Sequence, residues 1–328
     1  MSREHIIEVD NLARRFGEVK AVDGVSFWVE RGEIFGFLGP NGAGKTTTIN
    51  ILCTLLRPTS GHASVCGMDV SRQRHQVRQC IGLVFQDPSL DDRLTALENL
   101  RFHAFTYNVP AAEREGRIEH VLRITELWER RESQVRTYSG GMKRRLEIAR
   151  GLLHQPQVLF LDEPTLGLDP QTRRHIWDYV LQLHREGNIT IFLTTHYMEE
   201  AEHADRIGII DRGKIVALDT PGALKSLVGG DVIRLQTEDN ERARQEVKAH
   251  FQIEAKQDGQ ELTFEVPQGD RFIPGLVDKL NTRVLSVSLR RPTLDDVFIK
   301  LTGRELRDAE AGSMDQLRGE MRTWHRRR

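Results

Sequence analysis

The residues with the clearest chemical purpose form the glycine-rich run "GPNGAGKT" at residues 39–46. Its G-x-x-x-x-G-K-T spacing lies between an apolar segment and a helical one, which is the context of a phosphate-binding loop. Glycines let backbone N–H groups turn toward phosphate oxygens, and the following helix start adds partial positive charge. Lys45 supplies a full charge, and the Thr46 hydroxyl is suited to ligate Mg²⁺. The run therefore predicts a nucleotide-binding site made by Gly39, Pro40, Asn41, Gly42, Ala43, Gly44, Lys45, Thr46 and Thr47.

A pair of acids, Asp162 and Glu163, ends the apolar run "VLFLDE". Acids after four apolar residues are typical of a buried parallel strand that carries carboxylates to the carboxyl edge of a sheet, beside the phosphate loop. Asp162 is then placed to hold Mg²⁺ or its water. Glu163 points in a different direction and is the candidate to orient or deprotonate the attacking water. An isolated pair of this kind is usually a solvated strand end, but the phosphate loop favours catalysis.

Gln86 and His196 each end an apolar run, so both are expected at the same sheet edge. Lone strand-end residues of these types are more often structural. Because they share this location with Glu163, we interpret Gln86 as a contact of the water or Mg²⁺ and His196 as a sensor of the γ-phosphate. With Lys45 they complete the candidate catalytic set. Phe16 leaves two alternatives open, stacking on adenine or packing in an antiparallel edge sheet.

A Ser-Gly-Gly turn opens a second helix, "SGGMKRRLEIARGLL". Ser139 is expected to cap this helix, and Gly140 and Gly141 leave backbone N–H groups uncovered, which makes a second anion site by geometry. Most of the charges later in the helix, at Lys143, Arg144, Glu147 and Arg150, are interpreted as a solvated face. The turn follows a different strand from Lys45. Two copies placed head to tail would let Ser139 of one chain close on the nucleotide held by the other.

An α/β fold is needed to position these side chains. Short apolar runs alternate with helical periodicity over most of the chain, which predicts α/β layers. The strand candidates are residues 32–39, 81–86, 158–163, 189–196 and 206–218. Between Thr95 and Arg136 the pattern is helical and charged, without a strand, which indicates a helical insertion.

A different pattern of predicted elements begins after the Gly229–Gly230 pair. Its order, β-α-β-β-α-β, predicts a small ferredoxin-like α+β module. A capping box is expected at Thr293 and Asp296. The domain prediction is therefore a nucleotide-binding domain at residues 1–228 with a helical subdomain at about 95–155, an accessory module at 229–302 and a charged tail at 303–328.

The composition argues against several classes of protein. Lys+Arg 47 against Asp+Glu 48 gives a net charge of -1, so no global basic field favours a nucleic-acid partner. The three cysteines lack metal-ligand spacing, which indicates reduced structural thiols. The N-terminus is too charged for a secretory signal, and no apolar run approaches the ~20 residues of a membrane span. We therefore expect a soluble protein whose membrane association needs a partner.

Together these motifs resemble the ATP-binding subunit of an ABC transporter. In the family's order, the chain has "GPNGAGKTT" like the Walker A loop, "VFQ" like the Q-loop, "YSGGM" like the signature, "LFLDEP" like the Walker B strand, "GLD" like the D-loop and "TTH" like the H-loop. The resemblance covers about residues 4–222. It implies a P-loop ABC-type α/β domain with an antiparallel edge sheet and a helical subdomain.

The resemblance also implies how the site residues act. The family works as a dimer with two ATP molecules and Mg²⁺, in which Ser139 and Gly141 contact the γ-phosphate of the partner's nucleotide. Asp169 would couple the two sites, and Glu163 would be the catalytic base. Phe16 stands where an adenine-stacking aromatic is usual. The signature departs from the commonest Leu-Ser-Gly-Gly-Gln only outside its Ser-Gly-Gly centre.

A narrower resemblance rests on "YSGGMKRRLEIARGL" and "RRPTLDDVFIKLTGREL", which are similar to daunorubicin-resistance-type ATPases, a branch dominated by exporters of drugs, lipids or polysaccharides. It implies a separate integral membrane permease that docks near Gln86 and the helices between Thr95 and Arg136. It also implies a peripheral location at the cytoplasmic face of the membrane. The main alternative is a non-transport ABC ATPase of ribosomes or DNA repair. Such proteins usually carry two cassettes or a long coiled coil, and this sequence has neither.

Overall fold

The computed structural model describes residues 4–87, 89–187 and 189–303. The chain divides between Thr220 and Pro221 into two compact units. In the first unit the strands are β1 (His5–Phe16), β2 (Val19–Glu30), β3 (Ile34–Leu38), β4 (Ser60–Val65), β5 (Met68–Asp69), β6 (Ile81–Val84), β7 (Val158–Asp162), β8 (Thr190–Thr195), β9 (Arg206–Asp211) and β10 (Lys214–Asp219). Its helices are α1 (Lys45–Leu52), α2 (Arg74–Cys80), α3 (Ala96–Thr106), α4 (Ala111–Ile124), α5 (Gly140–Leu152), α6 (Pro170–Gly187) and α7 (Met198–Ala201).

A six-stranded sheet with the order β10-β9-β3-β8-β7-β6 forms the centre of this unit and confirms the predicted α/β class. Its strands are parallel except β10, which pairs antiparallel with β9. All residues of β3, β7 and β8 are buried, as expected for strands covered on both faces. The carboxyl ends of these strands therefore share one edge, and that edge carries the candidate site.

The run at residues 206–218, expected as one strand, forms the β9–β10 hairpin instead. Arg212 and Gly213 turn the chain with φ of 48° and 77°. Positive φ at both central residues is the geometry of the tight turn that matches the twist of a hairpin. The single-strand prediction was wrong because an Arg-Gly turn inside an apolar run carries little signal.

The antiparallel edge sheet and the helical region are both present. The edge sheet has the order β2-β1-β4-β5. The region between Thr95 and Arg136 forms α3 and α4, and Thr95 begins α3 with a capping box to Glu98. The apolar faces of α3, α4 and α5 share a core of their own, which includes Leu100, Leu122 and Leu146.

The second unit has its own sheet and core. Its elements are α8 (Pro221–Ser226), β11 (Asp231–Thr237), α9 (Asn240–Phe251), β12 (Lys256–Asp258), β13 (Glu261–Val266), α10 (Gly269–Lys279), β14 (Val284–Arg290) and α11 (Leu294–Thr302). The antiparallel order β12-β13-β11-β14 agrees with the predicted ferredoxin-like module, and the capping box at Thr293 and Asp296 is confirmed. The unit begins earlier than the expected boundary at Gly229–Gly230 because α8 packs against α11.

The predicted tail lies, from residue 304 onward, outside the described residues. Among the helices that the structure describes, none combines the length and the apolar character needed to cross a membrane.

Candidate active site

The phosphate loop follows β3 and ends where α1 begins. A side chain at Gly39 would place its Cβ 2.3 Å from the backbone oxygen of Ile210. At Gly44, φ is 110°, and a Cβ would lie 2.4 Å from the backbone oxygen of Ala21. Only glycine fits these two positions. The residue that precedes α1 is Gly44, which has no side chain to cap the helix, so the first backbone N–H groups are available to an anion.

Lys45 folds back over this loop. Its Nζ donates to the backbone oxygens of Gly39, at 2.7 Å, and Pro40, at 3.1 Å. It also lies 3.1 Å from Oε1 of Glu163, and the lysine is only 4% exposed. The ammonium is therefore fixed at the centre of the loop, where phosphate oxygens would need it.

Asp162, at the end of β7, meets the start of α1. Its Oδ1 accepts hydrogen bonds from the hydroxyls of Thr46, at 3.3 Å, and Thr194, at 2.5 Å. Burial raises the pKa of Asp162 above the ordinary value, although the two threonine hydroxyls oppose this. A carboxylate and a hydroxyl that converge from two elements are hard oxygen donors, which fit Mg²⁺.

The role of Thr194 was not anticipated from the sequence. It pairs with Asp162 in the register of β7 and β8. Its position in the run before His196, on a strand expected at the same edge, was the signal that could have identified it.

Glu163 lies one residue beyond β7 in an unusual backbone conformation. Its φ is 45°, in the left-handed region that non-glycine residues rarely occupy. The backbone N–H donates to the carbonyl and the hydroxyl of Thr194, at 3.2 Å and 3.1 Å. Oε2 lies 3.3 Å from Nδ1 of His196. Burial raises the pKa of Glu163, but the contacts with His196 and Lys45 outweigh burial, so the net pKa is lowered. The carboxylate is therefore ionised at neutral pH and can accept a proton.

The two remaining candidates are carried by other strands of the first unit, Gln86 after β6 and Phe16 on β1. Gln86 is exposed, two residues beyond β6, and in the described part of the chain no hydrogen bond joins it to Thr46 or Asp162. Phe16 ends β1 with its ring 45% exposed and the Arg14 guanidinium 4.5 Å from the ring centroid. Phe16 lies in the antiparallel edge sheet, where it pairs with Val19, and its exposed side chain is also open to stacking.

The Ser-Gly-Gly turn caps α5 as predicted, since the Ser139 hydroxyl accepts from the backbone N–H of Met142 at 3.2 Å. Ser139 and Gly140 are exposed. A Cβ at Gly141 would lie 2.4 Å from Cγ2 of Thr172. The Thr172 hydroxyl donates to Asp169 at 2.6 Å, and this bond lowers the pKa of Asp169. The turn therefore contacts the start of α6, where Asp169 lies.

Two charges of α5, Arg144 and Glu147, were wrongly assigned to a solvated face. They are 6% and 0% exposed, and they form an ion pair of 3.1 Å. Arg144 faces backbone carbonyls of the segments around β6 and β7. Helical periodicity identifies the side that faces the sheet only for apolar residues, so a buried polar pair gave no signal.

Two family models match the chain. Residues 22–166 match the model described as ABC transporter. Residues 220–302 match the C-terminal domain of DrrA1-3-like ATP-binding proteins. The two matches fall in the first and, almost entirely, the second compact unit.

Similar proteins align over nearly the whole chain. The daunorubicin resistance ATP-binding protein DrrA2 of Streptomyces coeruleorubidus is 40% identical over 94% of this chain and 98% of its own. The linearmycin resistance ATP-binding protein LnrL of Bacillus subtilis is 38% identical over 92% and 100%. The Nod factor export ATP-binding protein I of Ralstonia nicotianae is 39% identical over 92% and 95%.

Solved structures with the same fold include cbiO1 of Clostridium perfringens, part of the ABC transporter complex cbiONQ, with a TM-score of 0.63 and 27% identity over 76% of this chain and 96% of its own. Another is the dimeric ATP-binding cassette MJ0796 in a post-hydrolysis state bound to ADP and Pi. It has a TM-score of 0.59 and 29% identity over 65% of this chain and 98% of its own.

Proposed function

The chain belongs to the ABC transporter family as an ATP-binding subunit with a DrrA-like C-terminal domain, and from this premise we propose that it powers export through a separate integral membrane permease by ATP-driven closure of a homodimer. The family resemblance expected from the motifs is thereby confirmed. Subunits of this family couple ATP hydrolysis to transport. The observation that carries the proposal is the meeting of Lys45, Asp162 and Glu163 at one edge of the sheet.

Each residue of this group takes a distinct part in hydrolysis. Lys45 and the N–H groups of the loop bind the phosphates, and Phe16 stacks on adenine. Thr46 and Asp162 would hold Mg²⁺, with Gln86 as a proposed further contact, and the metal would supply positive charge against the β- and γ-phosphates. Glu163 accepts the proton of the attacking water. His196 lies against the Glu163 carboxylate and is suited to hold it toward the γ-phosphate.

A second copy of the chain would complete each site. We assign Ser139, Gly140 and Gly141 to the nucleotide of the partner chain. Exposure of the turn supports this, because an anion-binding helix start is open to another molecule. The contact of Gly141 with Thr172, which bonds Asp169, supports a coupling role for Asp169. Closure of the dimer around ATP would drive the permease into its outward-facing state, and product release would reopen the dimer.

Mixing two inactive variants tests the shared site. Lys45→Ala removes the phosphate-binding lysine but keeps the Ser139 turn. Ser139→Glu keeps the lysine and places a negative charge against the partner's triphosphate. We expect neither variant alone to hydrolyse ATP and the mixture to recover part of the wild-type rate, since a heterodimer contains one intact site.

The recovered ATPase rate is measured as phosphate release at several mixing ratios of the two variants. A mixture of Lys45→Ala with the Lys45→Ala/Ser139→Glu double variant is the control and should stay inactive. An unrestored mixture, or full activity of Ser139→Glu alone, would contradict the shared site.

A cleft beside α3 supports a permease partner. Its volume is about 250 Å³, and its lining includes Arg78, His103, Arg150 and His154 but no acid among the described residues. Burial, with Arg150 and His154, lowers the pKa of His103 to about 3, so this imidazole is neutral. On the same helix, Phe102 and Phe105 are 70% and 61% exposed. Exposed aromatic residues beside a cleft are typical of a protein-binding surface.

Co-expression with the membrane protein of a neighbouring reading frame tests the transport role. We expect the permease to be captured with this chain at the cytoplasmic face of the membrane and to increase its ATPase rate. Phe102→Glu should reduce capture severalfold while ATP-driven dimerisation persists. Leu285→Glu, the same kind of change at a 54% exposed position of the second unit, is the control. Equal capture of wild type and Phe102→Glu would contradict docking at α3.

A further inference from the structure

We propose that Arg144 is a positioning residue for Glu163. From α5, the helix capped by Ser139, Arg144 fixes the backbone on both sides of the catalytic carboxylate. The inference rests on the proposed function, because it concerns the assigned base. It adds a link within one chain. The link joins the Ser-Gly-Gly turn, which would bind the partner chain's nucleotide, to the Glu163 carboxylate, which would act on the nucleotide of its own chain.

The hydrogen bonds of Arg144 reach three backbone carbonyls in two segments of the chain. Nη2 donates to the carbonyl of Asp162 at 3.1 Å, and Nε donates to the carbonyl of Pro164 at 2.6 Å. Nη1 donates to the carbonyl of Phe85, directly before Gln86. Asp162 and Pro164 flank Glu163 in the chain, so a single guanidinium holds both neighbours of the base. The planar fork of arginine can serve several acceptors at once, which the single ammonium of lysine does less well.

Glu147 balances the charge of Arg144 in the interior. Its carboxylate is 0% exposed and lies 3.1 Å from Nη1 of Arg144. It also accepts from the backbone N–H of Ser89 at 2.8 Å. Burial lowers the pKa of Arg144, and the Glu147 charge opposes this. A buried pair with further hydrogen bonds on each member is costly to disturb, which holds the guanidinium in one place.

The backbone of Glu163 needs such support. A glutamate at φ of 45° persists only where the surroundings determine its conformation. Thr194 binds the backbone N–H of Glu163 from β8. Arg144 binds the carbonyls on either side from α5. Without Arg144, the peptide units on either side of the base lose their restraint from α5, and the carboxylate can shift from the position needed for proton transfer.

The test compares Arg144→Gln, Arg144→Lys and Arg145→Gln. Arg145 is the matched control, because it is the next residue of the same helix but binds the Thr125 carbonyl and Glu126 on the helical region. For Arg144→Gln we expect kcat to fall by about 100-fold, the effect of a misplacement of about 1 Å. The KM for ATP and the dissociation constant of an ATP analogue should stay within about twofold, because Arg144 does not contact the phosphate loop. Arg144→Lys should retain an intermediate kcat, and Arg145→Gln should match the wild type.

A double-variant cycle separates positioning from a general structural role. In the Glu163→Gln background, Arg144→Gln should leave the slow single-turnover rate unchanged, since the base is already absent. An equal loss in both backgrounds, or wild-type kcat in Arg144→Gln, would overturn the inference. If Arg144→Gln does not fold, Glu147→Gln takes its place in the same cycle, because it keeps the shape of the pair and loosens Arg144. Turnover retained by Glu163→Gln itself would contradict the proposed function instead.

Discussion

Replacing Glu163 by glutamine is expected to lower kcat for ATP hydrolysis by about 10²–10⁴-fold, the usual contribution of a general base. The amide cannot accept the proton of the attacking water. The change also removes the negative charge 3.1 Å from the Lys45 ammonium, so ATP affinity should stay unchanged or rise. ATP should then trap a stable dimer. Phosphate release measures turnover, a fluorescent ATP analogue measures affinity, and gel filtration measures dimerisation.

Two further variants give this result its meaning. Glu119→Gln removes a glutamate of α4 that pairs with Arg123 on the surface, and it should leave turnover unchanged. His196→Ala keeps the Glu163 carboxylate and removes the ring beside it, so hydrolysis should fall while binding is largely kept. Undiminished turnover of Glu163→Gln would remove Glu163 from the mechanism.

Replacing Lys45 by alanine is expected to weaken ATP binding by about 100-fold, because a charged hydrogen bond to phosphate contributes up to about 3 kcal/mol. Hydrolysis should be lost with binding. The variant should also be less stable by about 3 kcal/mol, since Glu163 then remains buried without the ammonium. Isothermal titration with ATP and urea unfolding measure the two effects.

The Lys45→Ala/Glu163→Gln double variant separates binding from stability. It removes the unpaired buried charge, so it should regain much of the lost stability without regaining ATP affinity. Lys248→Ala, which breaks a surface pair with Glu254 in the second unit, is the control for loss of a lysine. Retained ATP affinity in Lys45→Ala would contradict the phosphate-loop assignment.

The local motifs could be predicted because the residues that define each motif are close together in the sequence. Spacing within one short segment defines the glycines and Lys45 of the phosphate loop, the two acids at the end of β7 and the Ser139 cap. The apolar runs before them identified β3, β7 and β8 as buried strands. The order β-α-β-β-α-β was likewise readable in the second unit. Parallel strands that share a carboxyl edge then implied that the acids lie near the phosphate loop.

Contacts between distant segments could not be predicted in the same way. Arg144 reads as one of several charges on an amphipathic helix, yet it is buried against the carbonyls around Glu163. Thr194 reads as a residue inside an apolar run, yet it binds Asp162 and the backbone of Glu163. The β9–β10 hairpin was missed because its turn residues lie between two apolar runs that look like one continuous strand in the sequence.

The sequence by itself determined the glycine-rich loop, the pair of acids at the end of β7, the capped second helix and the α/β class, because periodicity and spacing act over a few residues. Only the tertiary structure decided which polar groups meet across α5, β7 and β8, and how Lys45 and Glu163 pair in the interior. The apolar periodicity of a helix shows which of its faces is buried. The hydrogen-bond acceptors that this face meets belong to strands that are distant in the sequence. Whether a charge is solvated or holds the active site together is therefore settled by packing.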